Sequence, residues 1–112
     1  VEMIEAGQQA RAVDYSMAVE MREHLNTEIS GLFDRYDAII TPATSGQAPL
    51  GLDATGSPAF CTLWTYLGLP AVTIPLLSGA NDMPIGVQLV GPRGDDARLL
   101  RTAHWLVDYL SD

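Results

Sequence analysis

Apolar residues recur every fourth position between residues 12 and 33, at Val13, Met17, Met21, Leu25 and Ile29, and Leu32 and Phe33 close the series. This spacing predicts a helix. Because each four-residue step overshoots a full turn by about 40°, the apolar stripe winds around the helix axis. Asp14 is the expected N-cap, and glutamates interrupt the polar side. The pattern therefore predicts a long helix that packs diagonally across a neighbour.

A short apolar run and a short helical pattern flank a loop of eighteen residues, "TPATSGQAPLGLDATGSP". Residues 38–41 predict a buried strand that Pro42 ends. The apolar spacing in "AFCTLWTYLGLP" predicts a helix with Gly68 at its C′ position and Ser57 as its N-cap. Long loops in compact domains are usually functional or disordered. We expect a functional loop at the carboxyl end of the first strand.

The remaining pattern predicts two further strands and a closing helix. Residues 71–76 form a βαβ unit with residues 38–41, so these strands should be parallel with a right-handed crossover. Residues 85–90 follow a short turn and should return antiparallel to their predecessor. Asp95 and Asp96 cap the last helix. The chain thus divides into a helical lead-in (1–36), a βαβ unit plus return strand (37–91) and a closing helix (95–111).

These elements predict an α/β fold whose sheet is incomplete. Three strands, at least one apolar on both faces, need more neighbours than the predicted helices provide. Open strand edges must also pair with something, because they otherwise invite aggregation. The 112 residues therefore predict a partial mixed sheet of about three strands with flanking helices, part of a larger sheet.

Charge and composition exclude several classes of function. The net charge of -8 disfavours nucleic acid, and no apolar stretch approaches the roughly 20 residues that span a bilayer. The first residues lack the basic start and apolar run of a signal peptide. Cys61 is the only cysteine, which excludes an internal disulfide and indicates a reducing, cytoplasmic compartment. All six cations are arginines and there is no lysine.

The residues alone provide no complete catalytic motif. His104 with Asp108 and Glu20 with His24 are i, i+4 pairs without a third metal ligand, which is typical of helix surfaces. Ser45 and Ser57 do not match the G-x-S-x-G turn of serine hydrolases. Cys61 has no basic sequence neighbour and is best interpreted as an inert thiol. No dinucleotide or P-loop phosphate motif occurs.

Three stretches in succession carry a family resemblance: "FDRYDAIITPATSGQAPLG", "ATGSPAFCTLWTYLGLPAVTIPL" and "MPIGVQLVGPRGDDARLLRTAHWL". An apolar strand ends in T-P, a threonine-glycine loop follows, then a helix ending in G-x-P-A, and P-x-G-x-Q-L-x-G precedes an acid-capped helix. This order resembles the C-terminal part of an amidase signature enzyme. The resemblance implies a piece of that family's α/β/α sandwich and a parent enzyme that hydrolyses carboxamides through an acyl-serine intermediate without metal or organic cofactor.

The resemblance assigns pocket-wall residues but no catalytic residue. The family's catalytic lysine and its glycine- and serine-rich signature lie earlier in the family's chain, and this sequence has neither a G-G-S-S-G tract nor a lysine, so it should be inactive alone. The positions matching the wall of the acyl pocket are Thr55, Gly56, Pro58 and Thr62. Thr41 and Pro42 are expected to face the same region from the strand end. Thr55 has an equally good interpretation as a turn cap, and Trp64 suits packing beneath the pocket better than lining it.

Three functional hypotheses remain at this stage. The first is the C-terminal portion of an amide hydrolase, with the missing N-terminal part as partner and a small-molecule amide as the parent's substrate. A family relative that transfers ammonia to aminoacyl-tRNA is its variant. The second is a stand-alone, non-catalytic interaction or ligand-binding module. The third is a self-sufficient hydrolase using Ser45 or Ser57 with His104. We expect the isolated chain to self-associate through its uncovered apolar face.

Overall fold

A computed structural model describes residues 2–111. The helices are α1 (Glu2–Gln8), α2 (Ala12–Ser30), α3 (Thr62–Leu67) and α4 (Asp96–Ser111), and the strands are β1 (Ile39–Pro42), β2 (Ala71–Ser78) and β3 (Pro84–Val90). A 3-10 turn at Ala80–Asp82 joins β2 to β3. The Cα radius of gyration is 16.8 Å, against about 13 Å for a compact domain of similar length. The α/β body is therefore extended and open.

The three strands form one sheet in the order β1-β3-β2, and both pairings are antiparallel. β3 returns antiparallel to β2 as predicted. β1 and β2 run in the same direction, also as predicted, but they are not neighbours because β3 lies between them. The connection from β1 through α3 to β2 leaves one strand position open between these two strands, and β3 occupies that position. Among the described residues, nothing pairs with the outer edges of β1 and β2.

Alternation along the strands gives the sheet two distinct faces. Thr41, Gln88 and Thr73 lie side by side on the first face. The second face carries Ile40, Leu89 and Val72 in one cross-strand row, and α4 packs there against β2 and β3. A Cβ on Gly91 would lie 2.9 Å from Leu99 Cβ, so glycine permits this close approach of strand end and helix. The second face beside β1 stays uncovered, and Ile40 is exposed.

The core lies at one end of the first face. It consists of Phe33, Leu67, Leu69 and Val90, with Ile29, Ile39, Trp64 and Tyr66 packed against it. α3 ends at Gly68, which has φ 69° and ψ 32°, and the Leu69 amide donates to the Trp64 carbonyl. This left-handed C-cap agrees with the predicted role of Gly68. The small core leaves many large apolar side chains exposed.

Two predicted helix starts are wrong. α3 begins at Thr62 with Cys61 as N-cap, and Ser57 Oγ instead accepts from the Ala59 amide in a preceding turn. The Pro58 carbonyl accepts from the amides of Cys61 and Thr62, so this turn leads directly into the first residue of α3. The N-cap of α2 is Arg11, and Asp14 lies in the first turn, paired with it at 2.8 Å. The side chains of Ser57 and Asp14 suit helix caps, but α3 begins later in the chain than Ser57 predicts and α2 begins earlier than Asp14 predicts.

Candidate functional site

The long loop folds back over the first face of the sheet and encloses a cavity of about 260 Å³. We call this space the loop cavity. It is lined by residues 43–49 and 55–57 together with Thr73, Pro84 and Gly86. The two loop segments come together because Gly56, with φ 89°, adopts a conformation that side chains disfavour. The loop cavity lies over the ends of β1 and β2 nearest the loop.

The lining of the loop cavity combines a largely apolar surface with several hydroxyl groups and carries no charge. Hydroxyl groups come from Thr44, Ser45, Thr55, Ser57 and Thr73, and Gln47 supplies an amide. No carboxylate, imidazole or guanidinium lines it. A serine hydroxyl is a weak nucleophile until a base removes its proton. Ser45 and Ser57 therefore lie in a cavity that can hold a small ligand but offers neither serine a base among its lining residues.

The residues predicted to form the pocket wall occupy three places in the structure. Thr55 and Gly56 line the loop cavity. Pro58 and Thr62 form the turn that follows, where Thr62 Oγ1 donates to the Pro58 carbonyl at 2.9 Å. Thr41 lies on the first face, and its Oγ1 accepts from Gln88 Nε2 at 3.1 Å.

Pro42 and Trp64 lie away from the loop cavity. The side chain of Pro42 belongs to the second face, because consecutive strand residues point to opposite sides of the sheet. The expectation that Thr41 and Pro42 face one region is therefore wrong. Trp64 is half-buried and packs against the core.

Gln88 is the important site residue that sequence analysis missed. It lies on the central strand with 4 % of its surface exposed and contacts both sides of the loop. Its position in "IGVQLVG" carried a signal, because a polar residue flanked by buried apolar residues needs hydrogen-bond partners. Its hydrogen-bond partners are distant in sequence, so the sequence did not reveal which segments Gln88 connects.

The other candidate groups have ordinary surroundings. His104 is exposed on α4, where its Nδ1 lies 2.8 Å from Asp108 Oδ2. It belongs to the helix on the second face and does not line the loop cavity. Residues 2–111 contain no group of three or more potential metal ligands. No helix among them is both long and apolar enough to cross a membrane.

Comparison with known proteins identifies the family. Residues 1–100 match the Amidase family. The chain belongs to the Amidase family. Among its curated relatives, the chain is 28 % identical over 103 residues to the A subunit of glutamyl-tRNA(Gln) amidotransferase from Halothermothrix orenii, covering 87 % of the chain and 22 % of that protein. The Bacillus thuringiensis (strain Al Hakam) protein of the same name is 32 % identical over 100 residues, covering 80 % and 20 %.

The extent of these matches accounts for the open architecture. This Amidase-family chain spans about a fifth of the length of the curated relatives it matches. A segment of a larger Amidase protein is expected to leave strand edges and helix faces without neighbours. The family membership and the incomplete sheet therefore agree with the predicted C-terminal portion.

Proposed function

We propose that this chain supplies part of the sheet and part of the substrate-pocket wall of an amide-hydrolysing enzyme whose reactive groups lie on other polypeptide. The observation that carries the proposal is the loop cavity of an Amidase-family segment, whose mainly apolar lining contains several hydroxyl groups but no base. Thr55 and Gly56 border the acyl group of a small amide in this proposal. Pro58, Thr62 and Thr41 support that border, and Trp64 packs against the core that carries α3.

In the proposed reaction, a serine outside this chain attacks the amide carbonyl carbon. The carbon–nitrogen bond breaks, the amine leaves with the serine's proton, and water then cleaves the acyl-serine ester. The reaction needs no metal or organic cofactor. This chain contributes shape and hydrogen-bonding hydroxyls, and we place the enzyme in the cytoplasm because the one thiol of this chain suits a reducing compartment.

Apolar surface that no described residue covers supports the proposal of a large polypeptide partner. α2 has no buried residue over nineteen residues, and Met17, Met21 and Leu32 are exposed. The outer edge of β1 is likewise unpaired within the described residues. We propose that the N-terminal part of the same enzyme covers both, and that the isolated chain covers them by self-association.

A second candidate function is transfer of the released ammonia rather than its loss to solvent. The observation that favours it is the name of the relatives at 28 % and 32 % identity, which are A subunits of glutamyl-tRNA(Gln) amidotransferase. Under this candidate the acyl-serine chemistry is unchanged, and the ammonia is passed to an acceptor.

The test compares this chain with a longer polypeptide that contains it and the upstream part of the enzyme. Each is incubated with a small carboxamide, quenched, digested and analysed by mass spectrometry for an acyl adduct on serine. We expect turnover and an adduct only in the longer polypeptide, on a peptide outside residues 1–112. The Ser45→Ala and Ser57→Ala variants of the longer polypeptide serve as matched controls and should retain the adduct.

The alternatives give different results. An adduct on Ser45 or Ser57 would identify a self-sufficient hydrolase. A longer polypeptide with neither turnover nor adduct would favour the non-catalytic module. Ammonia that reaches an added acceptor faster than it appears in solution would favour the amidotransferase.

A further inference from the structure

Gln88 joins the two ends of the long loop through one buried amide group. Its Nε2 donates to Thr41 Oγ1 at 3.1 Å, on the strand that leads into the loop. The same Nε2 donates to the Phe60 carbonyl at 2.9 Å, where the chain leaves the loop. Both hydrogens of the Gln88 amide group are therefore used. Thr41 precedes the loop segments that line the cavity, and Phe60 follows them.

A further contact completes the surroundings of Gln88. Cys61 Sγ lies 3.9 Å from Gln88 Oε1 and 3.6 Å from the Ala43 carbonyl, so the residue after Phe60 also contacts both β3 and the start of the loop. Each buried polar side chain among the described residues has a hydrogen-bond partner. Loss of the Gln88 amide would leave the part-buried Phe60 carbonyl without this donor, which is costly.

The central strand makes Gln88 a rigid base for these contacts. β3 is paired on both sides, and Leu89 and Val90 next to Gln88 are 1 % and 0 % exposed. Residues 43–60, in contrast, contain no helix or strand of their own. Apart from the backbone bond from the Ala43 amide to the Gly86 carbonyl, side-chain contacts help to position the loop, and Gln88 connects both of its ends to the most buried part of the sheet.

We propose that Gln88 is a positioning residue that holds the pocket wall at the spacing which the acyl group of the substrate requires. The inference rests on the proposed function, because it needs the loop cavity to receive substrate. Gln88 itself lies beneath the cavity and does not line it. It acts through Thr41 and Phe60, and its loss should weaken substrate binding more than it slows the chemical step.

The variant Gln88→Met tests this role, because methionine is similar in length but donates no hydrogen bond. Leu89→Val is the matched control, since Leu89 is the adjacent buried residue and faces α4 instead of the loop. Amide hydrogen exchange is measured on residues 43–61, β2 and α4. Steady-state kinetics are measured in the longer polypeptide that contains the upstream part of the enzyme.

Gln88→Met removes both donated hydrogen bonds, so it should speed exchange in residues 43–61 about tenfold or more and leave α4 unchanged. The KM for the amide should rise about tenfold, with kcat changed less than about twofold. Leu89→Val should affect α4 and β2 without a change in KM. Uniform acceleration of exchange, or a local acceleration with unchanged KM, would overturn the proposal. Failure of the proposed function shows separately, as a wild-type longer polypeptide without an acyl adduct.

Discussion

Helices α2 and α4 both carry apolar residues in helical spacing, yet only α4 fully buries any of them within this chain. α4 buries Leu99 and Ala103 against the sheet, whereas α2 buries no residue. The apolar positions of α4 cluster on one broad side, and those of α2 follow four-residue steps that wind around the axis. A broad face matches a nearby sheet, while a winding stripe requires a partner that crosses it.

Polar contacts, not the stripe, attach α2 to the rest of the chain. Asn26 Nδ2 donates to the Leu67 carbonyl at 3.0 Å, and Tyr66 Oη donates to the Ala18 carbonyl. Arg93 Nη1 lies 3.2 Å from Glu23 Oε2. Of the apolar residues within α2 itself, only Ile29 packs against the core, and Phe33, which follows the helix, belongs to that core. The two helices therefore differ in role: α4 packs onto the sheet of this segment, whereas α2 leaves apolar side chains exposed, which we propose another polypeptide covers.

Truncation of a buried side chain on α4 should have the largest effect. Leu99 is 3 % exposed and lies against Gly91, so Leu99→Ala should lower the free energy of unfolding by about 3 kcal/mol. Met21→Ala on α2 is the control; it changes a residue that is 55 % exposed and should cost no more than about 0.5 kcal/mol. Urea denaturation of the dilute chain measures both. Equal losses would show that α2 is packed in solution.

The sequence predicted the types of the elements and the directions of the strands more completely than it predicted which strands lie next to each other in the sheet. Alternation and turn length were sufficient for β2 and β3, because their pairing is local. The position of β3 between β1 and β2 depends on contacts more than forty residues apart, such as Ile39 with Val90. No local propensity encodes such a contact.

The candidate site was likewise predicted only in part, because some of its contacts join residues that are distant in sequence. Thr55 and Gly56 were identified by family resemblance, and the structure places both at the loop cavity. Gln88 was missed because its function depends on Thr41 and Phe60, which come near it only after folding. Sequence can mark a buried polar residue as unusual, but the partner that explains it is a tertiary fact.

Polar substitution of the α2 stripe should change association without changing the fold. The double variant Met17→Gln, Met21→Gln removes two exposed apolar side chains, so self-association of the isolated chain should weaken about tenfold or more. Light scattering over a concentration series measures it, with the urea midpoint as a check on folding. The matched control is Tyr109→Gln with Leu110→Gln, at the exposed end of α4. A larger effect in the control would move the interface from α2 to α4.

The two helices also differ in how the backbone amides of their first turns are capped. Asp95 Oδ1 accepts from the Arg98 amide at 3.1 Å, so a side chain satisfies one of the free amides at the start of α4. α2 begins at Arg11, whose side chain makes no cap hydrogen bond. Arg11 instead pairs with Asp14, and this contact lowers the pKa of the Asp14 carboxyl. Asp14 therefore stays ionised at pH 7, and any stabilisation from the pair is lost only as the pH falls through that lowered pKa.

Removal of the α4 cap should have the smallest measurable effect. Asp95→Ala should lower the free energy of unfolding by about 1 kcal/mol at pH 7, because the Arg98 amide loses its acceptor. Asp95→Asn keeps an acceptor oxygen and should recover most of that loss, which separates hydrogen bonding from charge. Arg11→Ala should leave the urea midpoint unchanged, since no cap is removed and the pair is exposed. If Arg11→Ala instead destabilises the chain as much as Asp95→Ala, the start of α2 is held as firmly as that of α4, and the division of roles between the two helices fails.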